Sequence, residues 1–131
     1  TWQPKLTLAG GFPDGTSNTV LFGEQYSQCA SKSKGWAWFA ANDEQAACEF
    51  HPGNLCGICP GPPSATTAAV PLQDNPTIAN CNPSNLQAMS PGTVQVGLGD
   101  GSVRGVSTAI SGTTWARAMW PNDRLLLGSD W

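Results

Sequence analysis

Between Thr93 and Val106 the chain reads TVQVGLGDGSVRGV. Val94, Val96 and Leu98 alternate with Gln95, Gly97 and Gly99, which is the period-2 signature of a half-buried strand. An Asp-Gly pair at 100–101 comes next, the strongest short-range hairpin signal. Val103 and Val106 sit in the return strand. This stretch commits the chain to antiparallel β-structure. A related one comes early, DGTSNTVLFGE from Asp14 to Glu24, again an Asp-Gly turn with hydroxyl residues feeding a strand and ending on a carboxylate.

The rest of the chain is read around those two stretches. NTVLFGEQYSQ (18–28) is rich in β-branched and aromatic residues and is expected as a strand, with Gly23 marking a bulge or a close backbone contact. GWAWFAA (35–41) is expected as another strand, with Trp36 and Trp38 on one face. SGTTWARAMW (111–120) reads as a short helix: Ser111 is the N-cap, Trp115, Ala118 and Met119 share a face, and Pro121 stops it. RLLLGSDW (124–131) is expected as a closing short strand. Residues 42–92 hold most of the prolines, including PGPP at 60–63, and four of five cysteines. So long a stretch without periodicity is unusual inside a compact domain and calls for cross-links.

The 131 residues suit one domain, 1–131, with 42–92 as a loop-rich insertion. The fold class is α+β: mainly an antiparallel sheet, one short C-terminal helix and a long, disulfide-held irregular insertion. Only six Lys and Arg are present and the net charge is −3, so nothing pairs with phosphates and nucleic-acid binding is not expected. No apolar run is long enough to span a membrane. Cys29, Cys48, Cys56, Cys59 and Cys81, with few lysines, point to an exported chain with disulfides. The opening residues begin in mid-pattern, and we expect a targeting segment upstream.

Candidate chemistry is sparse. The two turns chiefly set hairpin geometry at equivalent edges of one small sheet, their acids bonding backbone N–H groups. The alternative is a calcium site using Asp14, Glu24 and Asp100 as hard oxygen donors. Arg104 is expected to pair with Glu24 or Asp100. CEFHPGNLCGIC (48–59) offers Cys48, His51, Cys56 and Cys59 as a zinc quartet, but in an exported chain a stapled loop is the better reading. His51 is the sole histidine, and no nucleophile elbow surrounds any serine, so no catalytic residues and no enzyme activity are expected.

The two motifs together, with the Trp115-bearing helix and the closing Gly128–Trp131, resemble the C-terminal half of DUF1559-type prepilin-like proteins, abundant in planctomycete bacteria. Asp14, Gly15, Asn18 and Glu24 match the first block; Asp100, Gly101, Ser102 and Arg104 match the second, and CNPSNLQAMSPG from Cys81 fits its lead-in. Ser90 stands where the family pattern has His, and the N-terminal prepilin helix is missing from this sequence. The recognised blocks are flanked by Cys29 and Cys81, expected as a disulfide, with one further pair among Cys48, Cys56 and Cys59. The resemblance implies a pilin- or pseudopilin-like domain, self-associating into an extracellular filament, tube or pseudopilus-like assembly, with Trp2, Trp120 and Trp131 as interface candidates. The alternative is a monomeric exported module binding calcium or glycans.

Overall fold

The computed structural model describes residues 7–30, 32–33, 72–82 and 85–131. A single helical turn, α1 (Leu8–Gly11), is capped by Thr7, whose side chain accepts from Gly10 N. A 3-10 turn at Thr16–Asn18 leads into β1 (Val20–Gly23). Next come β2 (Gln28–Cys29) and β3 (Lys32–Ser33), then, further along, a 3-10 turn at Ile78–Asn80. The regular half of the chain consists of β4 (Thr93–Leu98), β5 (Val103–Ser107) and α2 (Gly112–Met119).

The sheet order is β1-β4-β5, antiparallel throughout, and β2 and β3 form a separate antiparallel pair. With α2 near the C-terminus, the architecture is α+β. The period-2 reading of β4 is realised directly: Val94, Val96 and Leu98 are buried and Gln95 is exposed. Val20 lies opposite Leu98, and Val94 opposite Val106. Trp115, Ala116 and Ala118 of α2 join these side chains in one core. Ser111 caps α2 by accepting from Thr114 N at 3.2 Å, and the helix ends before Pro121.

The expected strand over 18–28 is shorter and interrupted. From Val20 to Phe22 β1 advances two residues while its partner moves one, from Leu98 to Gly97, which is a bulge. A bulge reverses the facing of the residues beyond it, so Phe22 turns to the outer face although Val20 points inward. Next along the strand is Gly23, where Leu86 presses against the backbone.

Residues 72–82 and 85–92 carry little regular structure, in agreement with the reading of 42–92, but they are not peripheral. Leu72, Leu86 and Ala88 belong to the core, and Asn85 and Gln87 are buried with them. Gln87 is tolerated because its amide is satisfied: Oε1 accepts from Tyr26 N at 3.1 Å, and Nε2 donates to the carbonyls of Asn82 and Asn85. Cys29 and Cys81 form a disulfide that ties β2 to the end of the 3-10 turn. The expected strand at 35–41, Trp2, and the Cys48, His51, Cys56 and Cys59 group lie outside the described residues. The last expected strand is not formed; the chain from Arg124 onward runs as turns and irregular backbone.

Candidate functional site

The two Asp-Gly turns lie side by side. Gly99 N donates to Thr19 O at 2.9 Å and Asp100 N to Thr16 O at 3.2 Å. They share one end of the sheet because Val20 and Leu98 are in register. Asp100 works locally: its Oδ1 accepts from Ser102 N at 2.9 Å and from Ser102 Oγ at 2.6 Å. Those two bonds hold its carboxyl below the ordinary range. Gly101 takes the left-handed φ of +85° that closes the turn.

Asp14 works at long range. Its Oδ2 accepts from Asp123 N at 2.9 Å and its Oδ1 from Arg124 N at 2.8 Å. One carboxylate thereby clasps the backbone just beyond α2. Asn18 braces it, donating from Nδ2 to Asp14 O at 3.0 Å. Arg124 sits at φ 59°, a left-handed conformation that non-glycine residues adopt at a cost. Beside the clasp, burial pushes the Asp123 carboxyl up, opposed by the Leu125 N–H it accepts and reinforced by the Asp14 charge. Among the described residues the buried Asp123 Oδ2 has no hydrogen-bond partner.

Glu24 is committed elsewhere, its Oε1 accepting from Met89 N at 3.1 Å. Asp14, Glu24 and Asp100 thus each hold a different piece of backbone. Among the described residues no group of three or more acids, histidines or cysteines is placed to hold a metal ion. The calcium expectation is corrected on that ground: Asp14, Glu24 and Asp100 are each engaged with a different stretch of backbone and are not gathered into one site. The expected pairing of Arg104 is corrected too. Its guanidinium lies over the Trp131 ring, 4.6 Å from the centroid, and forms no ion pair among the described residues.

The closing Gly-Ser-Asp-Trp is fastened to the start of α2. Asp130 Oδ2 accepts from Ser111 N at 2.7 Å and Oδ1 from Thr114 Oγ1 at 2.5 Å. These bonds lower the Asp130 carboxyl to about 2, and a negative charge there also suits the helix dipole. Trp131 packs against the core, half-buried, as Trp120 is. The large apolar side chains facing outward are others, including Phe22, 59% exposed, and Val103, 74% exposed. The expected irregularity at Gly23 hints at a bulge, but the Phe22 exposure follows from its falling earlier, between Val20 and Phe22.

Between the first turn and the closing segment lies an open pocket of about 320 Å³. Asp14 and Asn18 line it, together with Arg117, Arg124, the three leucines 125–127 and Trp131. Arg117 Nη1 donates to Leu126 O at 2.7 Å and so holds part of that wall. Sequence reasoning missed this pocket, since its walls come from opposite ends of the chain.

A small antiparallel α+β domain whose first turn is clasped to its closing segment is the class that the geometry defines. Residues 6–112 match the model of a family described as a protein of unknown function (DUF1559), and the chain belongs to that family. No curated protein and no solved structure matches it.

Proposed function

We propose that the chain is a structural subunit, pilin- or pseudopilin-like, that assembles with copies of itself into an extracellular filament, tube or pseudopilus-like array. The observation that supports this is the outer face of the β1-β4-β5 sheet. Phe22 and Val103 flank Gly97 in one cross-strand row, Gln95 and Gly105 form the next, and Thr93 and Ser107 the last. None of these is charged. Arg104, the only charged residue in the three strands, lies opposite buried Val96 and stacks on Trp131 instead. Sheets that remain solitary usually carry charges that discourage pairing, whereas interface cores are depleted in charge and enriched in aromatics. Among the described residues the outer edges of β1 and β5 have no partner strand. The Cys29–Cys81 disulfide is in keeping with an oxidising compartment.

The test is electron microscopy and sedimentation velocity of native material beside a Val103→Lys variant. Regular filaments or tubes are expected from the parent, and dispersed particles from the variant. Val103 is exposed, so its replacement is expected to change folding stability by no more than about 0.5 kcal/mol. Dispersed single particles from the parent at every concentration would refute the reading.

A further inference from the structure

We propose that the pocket beside the Asp14 clasp binds a small organic carboxylate with an apolar body. Its walls supply donors in excess of free acceptors. The Arg124 guanidinium has no partner among the described residues. Arg117 uses only one of its N–H groups on Leu126 O. The Trp131 indole N–H is buried and has no acceptor among the described residues, an arrangement that is unfavourable until an acceptor arrives. Asp14, the carboxylate in the wall, has both oxygens taken by Asp123 N and Arg124 N. Guanidinium forks match carboxylates in a two-point geometry, which selects that anion.

The apolar requirement comes from the leucines. Leu125 is 47% exposed and Leu126 88% exposed, next to Leu127. A bare inorganic anion leaves them in water, and a neutral molecule leaves the guanidinium groups unmatched. The left-handed φ of 59° at Arg124 is the third observation. Strained backbone concentrates at ligand clamps, where the surrounding structure over-determines it. Here the Asp14 clasp holds the Arg124 N–H, and Arg124 stands in the pocket wall. The volume, about 320 Å³, lies at the low end for small-molecule sites.

The experiment titrates phenylacetate, benzyl alcohol and inorganic phosphate into the intact chain by calorimetry. The Trp131 indole N–H signal, identified by its loss in Trp131→Phe, is followed in parallel by NMR. Saturable phenylacetate binding that moves this signal is expected, with benzyl alcohol and phosphate each weaker by about tenfold or more. Arg124→Asn, which tolerates the same backbone conformation without the charge, is expected to weaken phenylacetate about tenfold while the remaining spectrum is unchanged. No saturable shift at the indole overturns the proposal. So does equal binding of the alcohol or of phosphate, which marks an apolar crevice or a bare-anion site. Parental affinity in Arg124→Asn overturns it as well. The ligand selectivity is read on the parent chain and stands whether or not the variant folds.

Discussion

At the scale of single residues, the acids do the fastening, and their environments are opposed. Asp130 is depressed to about 2 by its bonds to Thr114 and Ser111. A depressed carboxyl contributes stability above its ordinary value of 3.8, and that contribution is lost as pH falls through the folded value. Asp123 is raised, chiefly by burial. A raised carboxyl has the reverse sign: its contribution is complete below 3.8 and disappears as pH climbs through the folded value. Asp123→Asn keeps an acceptor for Leu125 N and removes the repulsion with Asp14. It is therefore expected to melt above the parent at neutral pH, with the difference gone at about pH 3. Thermal melts across that range check it, and an Asp123→Asn variant less stable than the parent at neutral pH contradicts it. The importance of Asp14 and Asp100 was legible in the sequence because an Asp-Gly turn advertises itself. The backbone each one bonds was not, since Asp100 closes its own turn and Asp14 reaches residues 123 and 124.

At the scale of elements, the hairpin and α2 were readable because every local preference agrees: alternation, turn residues, N-cap and the proline after the end. The reading failed where backbone groups are engaged outside a ladder. RLLLGSDW looks like a strand, but Asp14 takes the N–H of Arg124 and Arg117 takes the carbonyl of Leu126. Residues 85–88 escaped for another reason. Asn and Gln in a buried stretch hide the apolar pattern; the Gln87 amide is satisfied there, whereas Asn85 Oδ1 is buried with no partner among the described residues. The contact between the two turns makes its own prediction. A methyl group added at Gly99 would stand 3.0 Å from the Thr16 carbonyl oxygen and 3.3 Å from Thr16 Cα. Both are backbone atoms, so neither can swing away. Gly99→Ala is expected to cost about 1–3 kcal/mol in urea denaturation. A loss well under that range would mean that the turns are free to separate.

At the scale of the whole molecule, the Cys29–Cys81 bond closes a loop with a sequence separation of 52 residues. In the chain-entropy account a loop of that length is worth about 4 kcal/mol. A Cys29→Ser/Cys81→Ser double variant is expected to lose about 2–4 kcal/mol in urea denaturation; an unchanged midpoint would show that the cross-link does little for the fold. The clasp bears on how the molecule comes together. Asp14 meets its two donors across 109 and 110 residues of chain. The β4-β5 hairpin and α2 close over short distances, whereas contacts of large sequence separation are slow to form because loop closure precedes any reward. The first turn should therefore lock late, after the folding barrier. In stopped-flow mixing, Asp14→Asn is expected to speed unfolding and leave the refolding rate nearly unchanged; slowed refolding would place the clasp in the nucleus instead. A turn latched in this way is completed by residues made more than a hundred positions later, so a chain emerging from synthesis leaves Asp14 unsatisfied until residues 123 and 124 arrive.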